Sequence, residues 1–283
     1  MKTTLPLRTI LVLAISTTGL STTHAQSVTE TQASSISGSV NLLSRYYFRG
    51  IDQTWGQAAV QGNLDWSHAS GWYAGTGLSN ISSRSYPGGR VEVDLYGGYK
   101  GQISPDWGYS VGAFAYVYPG ANVRHTQCAS AALAAPCAAA PSQSYDTLEL
   151  NGGLSWKLLS YKLSYSATDY FGANRRTGYS GSTRGTLYHD INLALPLADT
   201  WQLQLHAGYT QLPAKLGGIS PSYSDWRIGL AKSWGSRWNA SIAAVGASAN
   251  QLYRPPLGGL SATDAQSRAL NRSAVVLQIG STF

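Results

Sequence analysis

The stretch Ala274-Val275-Val276-Leu277-Gln278-Ile279-Gly280-Ser281-Thr282-Phe283 decides how the rest of this chain is read. Successive side chains of a strand point to opposite faces. Val275, Leu277, Ile279 and Phe283 therefore share one side, and Ala274, Gln278, Gly280 and Thr282 the other. A strand that is oily on one face and stops on an aromatic suits the closing strand of an outer-membrane barrel. One alternating strand also suits any half-buried sheet. The weight therefore rests on recurrence of the pattern along the chain.

The recurrence is extensive. In 58–68, Val60, Leu64 and Trp66 oppose Gln61, Asn63, Asp65 and Ser67. In 90–100, Val91, Val93, Leu95 and Tyr99 oppose Arg90, Glu92, Asp94 and Lys100. Segments 145–156, 159–168 and 201–210 repeat it, with Glu149, Lys162 and His206 on their polar faces. Weaker strands are expected at 36–49, 72–81, 107–118, 185–195, 223–233 and 237–249. With the terminal strand the expectation is about 12, an even number as in bacterial single-chain barrels. The fold class expected is all-β, a transmembrane antiparallel up-and-down β-barrel. Each strand has roughly the ten residues a tilted membrane strand needs.

The connections alternate between short and long. Short turns are expected at 67–71, 101–106, 157–158, 196–200 and 234–236. Longer loops are expected at 50–57, 82–89, 119–144, 171–184, 211–222 and 250–270. A barrel with both termini periplasmic predicts this rhythm. Trp66, Trp72, Trp107, Trp156, Trp201 and Trp238 all sit beside the short turns. They and Phe283 are the candidate membrane-interface aromatics, as a girdle at one lipid boundary requires.

Composition agrees. Eighteen Tyr, nine Trp and 31 Gly accompany only 12% charged residues, about half the usual share of a soluble domain. Residues 1–25 read as a Sec signal peptide: Lys2 and Arg8, an apolar run at 9–15, and Thr23-His24-Ala25 as the cleavage site. The mature chain is expected to begin at Gln26, with 26–35 a short periplasmic segment and 36–283 the barrel. No Cys follows the cleavage point, which argues against a lipoprotein anchor. No segment reaches the ~20 apolar residues of a transmembrane helix. Losing Lys2 and Arg8 takes the formal charge from +7 to +5. That excess is scattered rather than gathered in a basic stripe, so no nucleic acid is expected as a partner.

Leu43-Ser44-Arg45-Tyr46-Tyr47-Phe48-Arg49-Gly50-Ile51-Asp52-Gln53-Thr54 is followed by Ala59-Val60-Gln61-Gly62, by His68-Ala69-Ser70-Gly71-Trp72-Tyr73-Ala74-Gly75, and by Ser79-Asn80. This run resembles the N-terminal signature of the TorF-type porin family. The specific match covers roughly 43–99, and beyond it the likeness rests on strand layout. The chain departs at Asp52, where a hydroxyl residue is usual, at Ala58, where proline is common, and in a cysteine-containing insert. The resemblance implies an outer-membrane channel and carries little chemistry further.

The candidate pore-lining residues are Arg45, Arg49, Asp65, Arg90, Glu92, Asp94, Glu149, Lys162, Asp190, His206, Asp225 and Arg227. In a channel, rings or patches of such charges set selectivity. If they pair with one another instead, they fill a narrow lumen, and twelve strands lie between filled and open barrels. Cys128 and Cys137 are expected to form a disulfide in an exported chain. Free thiols are the alternative, and with only His125 nearby a metal site has little support. His206 invites a catalytic test. If the 196–200 turn pairs Leu195 with Trp201, Asp190 faces His206, with Ser164, Ser166 and Thr168 on the neighbouring strand.

The function expected is passive diffusion of small hydrophilic solutes or ions, with no enzyme activity and no cofactor. A barrel hydrolase using His206 and a non-conducting structural or adhesive barrel are the alternatives. Outer-membrane lipid, small hydrophilic solutes and the barrel-assembly machinery, through the strand ending in Phe283, are the expected partners. Solute, ion preference and oligomeric state are left open.

Overall fold

A computed structural model describes residues 34–126, 140–254 and 268–283. Strands occur there in the order β1 (Ser34–Leu43), β2 (Tyr47–Phe48), β3 (Ile51–Asp52), β4 (Ala59–His68), β5 (Trp72–Asn80), β6 (Val91–Ser104) and β7 (Trp107–Val117). They continue with β8 (Thr147–Trp156), β9 (Leu159–Ser166), β10 (Leu187–Ala198), β11 (Trp201–Gln211), β12 (Tyr223–Trp234), β13 (Trp238–Ala247) and β14 (Ala274–Thr282). Twelve of these form one closed antiparallel barrel in chain order; β2 and β3 pair only with each other. Among the described residues no helix is long and apolar enough to cross a membrane.

The seam shows how the ends are joined. β1 pairs with β4 from Ser34↔His68 to Leu43↔Ala59, and with β14 from Ser39↔Thr282 to Leu43↔Gln278. Phe283 extends that ladder: its N–H donates to the Gly38 carbonyl at 2.9 Å and its carbonyl accepts from Gly38 N–H at 2.8 Å. Closure of this kind leaves no strand edge with unpaired backbone groups, the condition a sheet must meet in lipid. The Phe283 ring lies across Gly38, where a Cβ would come within 2.5 Å of the ring. Gly38→Val is therefore expected to displace the ring and weaken the seam by roughly 1–3 kcal/mol. Thermal unfolding in detergent, followed by the mobility shift of folded against heated protein on a gel, checks this; an unchanged midpoint would count against it.

The alternation read from the sequence sets the two faces. Val60, Leu64, Leu95, Leu150, Ile191, Ile242, Val275 and Leu277 are exposed outward, whereas Gln61, Glu92, Glu149, Ser166 and Thr210 are buried inside. Apolar exposure on this scale all round a wall is foreign to a soluble monomer. The six tryptophans expected near the short turns are exposed on the outer face there, and Trp234 joins them. Lys232 lies over the rings of Trp201 and Trp234, 4.8 and 5.5 Å from their centroids, its stem along apolar surface as snorkelling requires.

Three strands differ notably from expectation in their boundaries. β1 starts at Ser34 rather than 36, and it stops at Leu43, not 49. The two-residue turn of β2 and β3 takes over, with Arg49 at φ 47° and Gly50 at φ 73°, and positive φ at both central positions is what a tight hairpin turn needs. β6 and β10 run past their expected ends, each through a bulge, at Gln102/Ser104 and Pro196/Ala198. A bulge is where a strand tolerates a proline without an N–H.

Candidate functional site

The first long connection does not stay outside the barrel. From the end of β1 it turns into the lumen as the β2–β3 hairpin, so stretch 43–54, which carried the family resemblance, is an internal crossing. A Cβ on Gly50 would meet the Asp225 Cβ at 2.7 Å and the Gly246 carbonyl at 2.9 Å. The hairpin tip therefore touches the β12–β13 wall, and only glycine fits so close an approach. On the other side Arg49 spans to β8. Its Nη1 and Nη2 donate to the two oxygens of Glu149 at 2.8 and 2.7 Å, and Nη1 also reaches the Tyr170 hydroxyl at 3.2 Å. The guanidinium packs 3.9 Å from the Tyr188 ring centroid. Both ends of the ion pair are nearly fully buried, and removing one partner of such a pair leaves an uncompensated charge. That commitment holds Arg49 in its left-handed backbone conformation.

Beside the hairpin, the inner face of β4–β8 is filled. Glu92 accepts from the Tyr46 hydroxyl at 2.6 Å and from Tyr118 at 2.5 Å. Tyr86 stacks on Tyr118 at 4.4 Å and donates to the Gln53 side chain at 2.6 Å. Leu43, Ala59, Ile81 and Tyr116 complete an apolar cluster there. Asp65 is taken up by the Tyr96 hydroxyl at 2.6 Å, and Asp94 is buried next to them.

The remaining half of the lumen is a vestibule of about 800 Å³, bounded by Tyr47, Phe48, Arg49 and Gly50 of the hairpin and reaching Asp199, Thr200, Gly235 and Ser236 at the short-turn end. A chain of charges runs along its β9–β12 wall. Lys162 Nζ is 3.5 Å from Asp190. His206 sits between two acids, with Nδ1 3.2 Å from Asp190 and Nε2 2.8 Å from Asp225. Nδ1 also lies 3.0 Å from the Asn192 amide oxygen. Arg227 Nη1 donates to the Gln204 amide oxygen at 2.6 Å. Arg45 faces the same space.

The twelve charged candidates thus divide. Arg45, Arg49, Lys162, Asp190, His206, Asp225 and Arg227 border the vestibule. Glu149 stands behind Arg49, and Asp65, Glu92 and Asp94 belong to the filled half. Arg90 precedes β6 and is exposed at the long-loop rim. Arg45 and Arg49 reach the interior from the hairpin, not from a wall strand. The expected pairing of Asp190 opposite His206 is off by two residues: β10 extends to Ala198↔Trp201, so His206 faces Asn192 and Asp190 faces Gly208. Asp190 still reaches His206 diagonally. Ser164 is paired with Tyr188 in the ladder, and His206 meets carboxylate, amide and phenol oxygens. Outward-facing His189, awkward on sequence grounds, lies 2.9 Å from the Tyr161 hydroxyl. Cys128 and Cys137 lie outside the described residues.

The sequence reading missed the tyrosines that organise the interior, Tyr46, Tyr118, Tyr170 and Tyr188; their excess was visible, their inward placement was not. Above the wall, Asp169 caps its own loop. Partial burial disfavours its ionised form, but donors from Ser182 and from the backbone of Thr183 and Arg184 outweigh this and hold its carboxyl below the ordinary range.

His206→Ala is expected to destabilise the barrel, because Asp190 and Asp225 lose the group between them. Its apparent melting temperature in detergent should fall by several degrees. A variant as stable as the parent would show that the two acids do not depend on the imidazole.

Residues 27–283 match the family model described as a bacterial protein of unknown function, Gcw_chp. No curated protein matches the sequence. Among solved structures, the chain is similar to the NanC porin in its rhombohedral crystal form, with 12% identity and a TM-score of 0.50 over 88% of this chain and 99% of that one. It is also similar to the KdgM porin in complex with disordered oligogalacturonate, with 10% identity and a TM-score of 0.47 over 88% and 98%. At 12% identity the likeness to the NanC porin is one of fold alone.

Proposed function

This chain belongs to the Gcw_chp family of bacterial proteins, and from the barrel's geometry we propose that it is an outer-membrane channel for passive diffusion of small hydrophilic solutes. One observation carries the reading: a closed wall, apolar outside, surrounds a vestibule of about 800 Å³ lined by Arg45, Lys162, Asp190, His206 and Arg227. Such a wall needs lipid around it, and a charged interior needs water or a polar guest. The resemblance of 43–99 to TorF-type porins supports the same assignment. Export by the signal at 1–25 delivers the mature chain, whose strand ending in Phe283 engages the barrel-assembly machinery. The short-turn end then faces the periplasm, and the aromatics from Trp66 to Trp238 mark that interface. The β2–β3 hairpin is the constriction, with Arg49 and Glu149 as its latch.

Purified protein in planar lipid bilayers tests this. Discrete conductance steps of a narrow pore are expected; protein that inserts and never conducts would favour a structural or adhesive barrel. The hydrolase alternative has less support, because His206 is held between two acids and its hydrogen-bond partners are Tyr188, Asn192 and the two carboxylates rather than a serine hydroxyl.

A further inference from the structure

The charges facing the vestibule do not cancel evenly. Asp190 is shared by Lys162 and His206, and Asp225 lies against His206 and accepts from the Tyr188 hydroxyl at 3.2 Å. Arg49 is matched by Glu149. Asp199 stands exposed at the mouth, in the turn between β10 and β11, where water screens it. Arg227 has a different kind of partner. Its guanidinium donates to the neutral oxygen of Gln204, and no carboxylate among the described residues pairs with it. A guanidinium has five N–H donors, so one amide oxygen satisfies little of it.

The wall is shaped to hold that group. Gly229 is the next inward position on β12, and a Cβ there would stand 3.0 Å from Arg227 Nη1 and 3.1 Å from Cζ. The guanidinium therefore rests against bare backbone, in a place any larger side chain would contest. Arg45, against the Tyr47 hydroxyl, adds a second cation to the same cavity. Amides of Asn192, Gln202 and Gln278 and the hydroxyl of Ser241 line the space around them. A planar fork of donors matches a carboxylate in two parallel bonds. Amides and hydroxyls suit a guest that carries hydroxyl groups. The volume is within the range of small-molecule sites.

We propose that the vestibule binds small hydroxylated carboxylates, with the carboxylate on Arg227 and Arg45 adding attraction from the hairpin. The proposal rests on the channel reading and gives it a solute class. The uncompensated cations also make the open pore favour anions.

Gluconate is the probe and glucose its neutral counterpart of similar size. In planar bilayers with the full mature chain, gluconate is expected to reduce the current through open channels, while equimolar glucose leaves it nearly unchanged. Reversal potentials in unequal KCl should show chloride preferred over potassium. Arg227→Gln should raise the half-blocking gluconate concentration about tenfold or more and move the reversal potential toward zero. Arg227→Lys, which keeps the charge and loses the fork, should preserve anion preference while weakening the gluconate block, and it serves if the glutamine variant does not fold. Channels that conduct but treat gluconate and glucose alike, or block unchanged in both variants, would overturn the inference and leave the channel reading standing. If the protein never conducts, the channel reading fails, and calorimetric titration of gluconate into the detergent-solubilised protein decides the site: binding lost in Arg227→Gln supports it, and no binding refutes it.

Discussion

Arg49→Ala is expected to raise single-channel conductance several-fold and to make the open level noisy. The substitution removes the guanidinium that ties the β2–β3 hairpin to Glu149 across the lumen, and it strands a buried carboxylate. Removing one member of a buried pair costs about 3–5 kcal/mol, a shift of about two to three and a half orders of magnitude in the docking equilibrium of the hairpin. The wall strands keep their own ladders, so the barrel itself should still form. Arg49→Ala with Glu149→Ala should behave more mildly than the single change, since no charge is left alone. Recordings from folded Arg49→Ala that match the parent in size and noise would show that the hairpin is not the constriction.

The second large effect concerns the outer face. Leu277→Arg should abolish formation of the folded, heat-modifiable form, or reduce it to a trace, in lipid refolding assays. Leu277 sits midway along β14 and is exposed outward, where the wall meets hydrocarbon in the proposed orientation. Arginine at that depth on the lipid face of a barrel costs about 2–4 kcal/mol. The adjacent change, Gln278→Arg, places the same charge on the lumen side and should allow folding. If both variants refold equally well, the outer face does not lie in lipid.

Much of the wall was legible because strand geometry is local. Side chains alternate with a period of two, so an apolar residue at every second position of β4, β6, β8, β9, β11 and β14 states both the strand and its facing. The rhythm of short and long connections placed the turns at one end. Tryptophans beside the short turns were found outward because alternation and turn position are both properties of neighbouring residues. The interior was less legible. Arg45 and Arg49 read as the end of a strand, since nothing periodic marks a hairpin of two-residue strands. The Arg49-Gly50 dipeptide was the one available sign, as glycine readily takes positive φ. Asp190 and His206 were linked correctly as neighbours, but through the wrong register: the turn is tighter than expected, pairing Ala198 rather than Leu195 with Trp201, and the bulge at Pro196 takes one residue back, a net shift of two.

By itself the sequence determined a β-barrel of about twelve strands, its greasy and wet faces, and which end carries the long loops, because each follows from contacts between residues close along the chain. Only the tertiary structure decided that the first long connection folds inward, that Glu92 and Asp94 are walled off, and that Arg227 borders the vestibule with no carboxylate partner among the described residues. Those outcomes depend on side chains from different segments meeting inside the barrel, 46 residues apart for Tyr46 and Glu92 and 100 for Arg49 and Glu149, and no local pattern records such a meeting.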